Sequence, residues 1–66
     1  MKKITIKQRD IWTTLENITY MTIIYNDNKK FELALAFKTA AEGFYAEFNT
    51  QKEAEDTISY ILKTLA

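Results

Sequence analysis

Residues 50–65 constrain this chain more than any other segment. Thr50-Gln51-Lys52-Glu53 has the form of a capping box: the Thr50 hydroxyl can accept from the backbone of Glu53, and Glu53 can reach back. Ala54, Ile58, Ile61, Leu62 and Leu65 then fall four, three, one and three residues apart, one stripe of a 3.6-residue helix. Glu53, Glu55 and Asp56 near the start and Lys63 near the end suit the helix dipole. The spacing predicts a helix over 50–65. A helix apolar on one stripe must bury that stripe against another layer. What the rest of the chain offers as that layer is strands.

Residues 3–7 alternate, with Ile4 and Ile6 on one side. Ile18 to Tyr25 is dense in β-branched and aromatic residues, as strands are. Asn26-Asp27-Asn28-Lys29 is a turn signal. Phe31, Leu33, Leu35 and Phe37 alternate with Glu or Ala, a period of two, so 18–25 and 30–38 form a hairpin. A rival reading makes 31–42 a helix capped by Gly43, because Glu, Leu, Ala and Lys are good helix formers. Gly43 otherwise marks a turn before a strand 44–48, with Phe44, Ala46 and Phe48 on one face. Residues 9–16 fit either a bent continuation of the first strand or one helical turn joining Ile11 to Leu15. The expected fold is α+β in the order ββββα: a four-stranded, mostly antiparallel sheet with the C-terminal helix on one face, one domain over 1–66. The expected core joins Ile58, Ile61, Leu62 and Leu65 to Phe31, Leu33, Leu35, Phe37, Phe44 and Phe48.

Composition narrows the chemistry. The 66 residues include no Cys, His or Pro and one Gly. That removes disulfides, thiolate ligands, the thiol nucleophile and the commonest general base. Ser59 is the only serine, and no base can be assigned to it. No carboxylate pair has the apolar setting of acid/base work. Asp27 between two Asn lacks the Gly and later Glu of a calcium loop. No Gly-rich phosphate loop is present. The Asn17-Ile18-Thr19 sequon matters only on a secretory route. No cofactor, metal or enzymatic activity is expected. Lys2 and Lys3 are followed by no long apolar stretch, so the start does not read as a signal peptide. No run approaches the roughly 18 apolar residues of a membrane span. A reducing cytoplasm and no membrane are the expectation. A chain this short buries only about 60% of its unfolded surface, so a partner would help it.

Strand 18–25 is apolar on both faces. Ile18, Tyr20, Thr22 and Ile24 share one, and Thr19, Met21, Ile23 and Tyr25 the other. A sheet wet on one side should alternate cleanly instead. One face therefore meets the helix and the other is a candidate interface. Met21, Ile23 and Tyr25 are the first candidates, with Ile18, Tyr20 and Ile24 as the alternative register. Trp12 is either a core residue or an interface anchor. Tyr60 projects away from the helical stripe and is a further contact candidate.

The formal net charge is zero, but residues 1–38 hold seven basic and four acidic groups, and 39–66 two and five. Lys2, Lys3, Lys7 and Arg9 cluster near the start, and Lys29 and Lys30 in the turn. Beside aromatics they are candidate contacts to single-stranded nucleic acid. The simpler explanation is edge lysines that discourage aggregation. In element order, ββββα resembles the single-stranded-DNA-binding domain of a class of transcriptional coactivators, which pair as dimers. In size and sparse chemistry the chain resembles small proteins of phages and other mobile elements that bind and block a host system. The expectation is a non-catalytic, protein-binding module: a homodimeric regulator or inhibitor with a host or cellular protein as partner. The alternative is a small dimeric single-stranded nucleic-acid-binding protein.

Overall fold

Alternation prevails over helix propensity at Phe31–Phe37. In a computed structural model describing Met1–Ala66, this segment is a strand, and the rival helix over 31–42 does not form. The elements in order are β1 (Lys2–Ile6), β2 (Arg9–Thr13), a 3-10 turn (Leu15–Asn17), β3 (Ile18–Tyr25), β4 (Phe31–Phe37), β5 (Phe44–Phe48) and α1 (Gln51–Leu65). The fold is α+β with one C-terminal helix. The expected single sheet of four strands is replaced by five strands in two antiparallel sheets, β1–β2 and β3–β4–β5.

The extra strand comes from residues 9–16. Neither reading of that stretch holds: 9–13 is a separate strand that folds back antiparallel on β1 and contains Ile11, and the helical turn begins only at Leu15. What concealed the β1–β2 hairpin is its loop. Ile6 pairs with Arg9, leaving only Lys7 and Gln8 between the strands. Both residues have positive φ, 49° and 69°. That is the geometry of a two-residue hairpin turn, usually filled by Asn and Gly. The second hairpin carries its signal openly. Asn26 N–H donates to Lys30 O, Lys29 N–H donates to Asn26 O, and Lys29 takes the left-handed position at φ 61°. This is the three-residue loop built on a turn and a bulge.

Thr50 caps α1. Its hydroxyl accepts from Glu53 N–H at 3.2 Å and donates to the Glu53 carboxylate at 3.1 Å. The neighbouring Asn49 is engaged elsewhere, accepting from Lys30 Nζ. Ala54, Ile61 and Leu65 are the buried residues of the helix, and Ile58 is half-buried. They join Ile4, Ile6, Leu33, Leu35, Ala46 and Phe48 in one core cluster. Phe31, Phe37 and Phe44 flank it. Leu62 does not belong to the core as expected: it is 43% exposed. The buried stripe is Ala54–Ile58–Ile61–Leu65, and Leu62 stands about 70° from its centre at about 100° per residue.

Gly43 is required by closeness rather than by a turn. Its φ is not positive, but a Cβ there would lie 2.5 Å from the Leu35 carbonyl oxygen. Only a residue without a side chain lets the chain enter β5 so close to β4.

Candidate functional site

The register of β3 settles its two faces. Met21 pairs with Leu35 and Ile23 with Leu33, both core residues, so Met21 and Ile23 pack inward beneath α1. The outward set is Tyr20, Thr22 and Ile24, the alternative register of the sequence reading. A register shift between Ile18 and Tyr20 keeps Ile18 packed on the core although it lies two residues before Tyr20. Tyr25 ends the strand mostly exposed, its ring 5.0 Å from that of Phe31.

The outer face of the three-stranded sheet follows from pairing. Ala36 lies opposite Tyr20, Ala34 opposite Thr22 and Glu32 opposite Ile24. On the other side Ala34 faces Tyr45, and Glu32 faces Glu47. Two alanines on the central strand therefore lie beneath larger neighbours. Tyr20 and Tyr45, each 54% exposed, flank them, and Ala34 is buried between its neighbours. Tyr45 was not singled out from the sequence. The alternation of 44–48, which places Phe44, Ala46 and Phe48 inward, carried the signal.

Trp12 is 64% exposed and is not a core residue. It lies opposite Lys3 on β1–β2 and borders an open cleft of about 250 Å³. Ile11 and Phe37 supply the cleft's apolar wall, and Asn17, Thr39 and Glu42 its polar one. Asn17 holds these parts together: its Nδ2 donates to the hydroxyls of Thr13 at 3.3 Å and Thr39 at 3.0 Å, and its carbonyl accepts from Lys38 N–H at 2.8 Å. Tyr60 is partly committed, since its hydroxyl accepts from Thr5 N–H at 3.0 Å and ties α1 to β1.

The basic residues do not line one track. Lys2 Nζ reaches the backbone oxygen of Ala66 at 3.3 Å, where a cation suits the helix C-terminus. Lys7 sits 4.7 Å from the Phe48 ring centre, and Arg9 4.0 Å from that of Phe44. Such cation–aromatic contacts cover the edge of the core. Arg9 also donates to the Tyr45 carbonyl. Lys29 and Lys30 lie at the β3–β4 turn, and Lys3 stands beside Trp12. The outer sheet face, where aromatics could stack on bases, carries Glu32 and Glu47 and no Lys or Arg. Two carboxylates there oppose a phosphate chain.

No three acidic residues stand close enough to share a metal ion, and Ser59 is exposed on α1. The helix is not long and apolar enough to cross a membrane. Compared with protein-family models, with curated proteins and with solved structures, the chain matches none of them.

Proposed function

We propose that the chain is a non-catalytic protein-binding module that works as a pair and presents the outer face of β3–β4–β5 to a protein partner. The observation that carries this reading is the exposed aromatic frame of Tyr20 and Tyr45 around Ala34 and Ala36. Large exposed aromatic side chains on a sheet face give a partner anchors, a pattern seen at interface hot spots. Exposed Ile24 on the same face extends the apolar surface. The finer assignment is a regulator of the kind phages and mobile elements carry, acting in a reducing cytoplasm. Its support is small size, absent cysteine and sparse chemistry.

Two measurements test the reading. A labelled single-stranded oligonucleotide should not bind at low salt. Binding whose logarithm falls linearly with the logarithm of salt would put the nucleic-acid reading in its place. A Tyr20→Ser, Tyr45→Ser double variant should melt near the natural chain but lose the proteins that the natural chain retains from a lysate. Retention of the same proteins by both would remove the outer face as the docking surface.

A further inference from the structure

Each sheet ends in strands whose outer backbone groups need partners or protection. Three of the four free edges are managed. At β5, Tyr45 is in a non-hydrogen-bonded pair with Ala34, so its carbonyl points outward, and Arg9 takes it. At β1, the outward N–H of Thr5 is taken by Tyr60. β2 is five residues long and carries Arg9 and Asp10. The fourth edge, β3, has only the register shift near its start, between Ile18 and Tyr20, and is otherwise unprotected. It spans eight residues, ITYMTIIY, without charge, Pro or Gly. No side-chain hydrogen bond reaches it, and no strand lies beyond it.

The phase of its outward groups follows from the turn. Asn26 and Lys30 are the hydrogen-bonded closing pair. Antiparallel pairs alternate, so Tyr20, Thr22 and Ile24 bond to β4, and the N–H and C=O groups of Met21, Ile23 and Tyr25 point to the free edge.

We propose that β3 pairs with β3 of a second copy of this chain, antiparallel about a twofold axis at Thr22. The inference deepens the reading of a paired binding module by naming how the pair forms. It rests on the sheet edge, not on the outer face.

This register satisfies the centre of the edge. Met21 exchanges both backbone bonds with Ile23 of the second copy, and Ile23 with Met21, on either side of Thr22. Side chains agree with it as well. On the outer face Tyr20 meets Ile24 of the second copy and Thr22 meets Thr22. Aromatic with β-branched and Thr with Thr are favourable cross-strand pairs. No like charges meet, because the strand has none. A second copy is thus a self-complementary occupant, as a twofold contact requires. The joined sheet runs β5–β4–β3–β3–β4–β5 and sets two copies of the Tyr20–Tyr45 frame side by side.

The test uses the absence of native cysteine. Opposed residues of a non-hydrogen-bonded pair have Cα atoms about 4.5 Å apart, within the about 4.4–6.8 Å that a disulfide spans. Thr22→Cys should therefore oxidise to a covalent species of twice the chain mass. Tyr20→Cys mixed with Ile24→Cys should cross-link more than either alone. Thr22→Lys places two ammonium groups opposite each other and leaves the core untouched. It should weaken the dimer about tenfold or more in sedimentation, with the far-ultraviolet circular dichroism of the monomer unchanged. A natural chain that sediments as a monomer at high micromolar concentration would overturn the proposal. So would a dimer in which Thr22→Cys stays a free thiol. Either result leaves the outer-face reading to a Tyr45→Ser single variant, since Tyr45 lies on β5, away from the β3 seam that Tyr20 would share.

Discussion

Ile61 and Leu62 are adjacent in sequence and opposite in role. Ile61 is fully buried, whereas Leu62 is 43% exposed. Truncating each to Ala removes three carbon groups. At Ile61 the lost transfer energy is about 2.4 kcal/mol at about 0.8 per group, and the cavity left behind raises the cost to about 3–5 kcal/mol. The better helix propensity of Ala returns only a few tenths of a kcal/mol. At Leu62 the side chain is only partly removed from water and no closed cavity forms, so about 1 kcal/mol is expected. A chain of 66 residues has a total stability of about 3–10 kcal/mol, at about 0.05–0.15 kcal/mol per residue. Ile61→Ala should remove about a third or more of that stability, while Leu62→Ala should lower the Tm by about 4–8 °C. Urea titration followed by far-ultraviolet circular dichroism separates the two, with equal slopes showing that the denatured states match. Equal losses, or a greater loss at Leu62, would rotate the helix by roughly one residue and refute the stripe described above.

Two further substitutions test local geometry. Gln8→Gly relieves a side chain held at φ 69°. It should stabilise by about 0.5–1 kcal/mol, because the left-handed penalty of about 1–2 kcal/mol exceeds the added flexibility of the unfolded chain. A lowered Tm would refute the strained turn. Thr50→Ala should cost about 1 kcal/mol by removing the hydroxyl that accepts from Glu53 N–H, and Asn49→Ala clearly less. A larger loss at Asn49 in the same melts would move the cap.

The elements readable from sequence were those whose local signals agree. The helix had a cap, a stripe and a matching charge gradient. β3 had β-branched and aromatic density, β4 and β5 had alternation, and the turn at 26–29 opened on Asn26, whose side-chain oxygen accepts from the backbone of Asn28 and Lys30. The β1–β2 hairpin was hidden because Lys7 and Gln8 hold left-handed backbone without the residues that favour it. Its strain is compatible with the contact Lys7 makes over Phe48, which no spacing rule encodes. The faces of β3 were ambiguous for a different reason. With apolar residues on both, alternation alone gives no direction; pairing with Leu33 and Leu35 supplies it. Among the proposed contacts, Trp12 and Tyr25 are exposed, Tyr60 is half tied to β1, and Met21 and Ile23 are turned to the core.

The core unites the two ends of the chain. Ile4 and Ile6 of β1 lie in the same cluster as Ile61 and Leu65 of α1, and Tyr60 and Thr5 bond across that seam. Every strand pair, by contrast, joins neighbours in sequence. During synthesis at about 5–20 residues per second, the hairpins can form as they emerge from the ribosome. The core cannot close until residue 65 is free. Until then β3 has its exposed edge and no helix over its inner face. Closure of the core therefore waits on the last element to emerge, and the interval before α1 docks is when a nascent chain is most open to a chaperone or to a wrong strand.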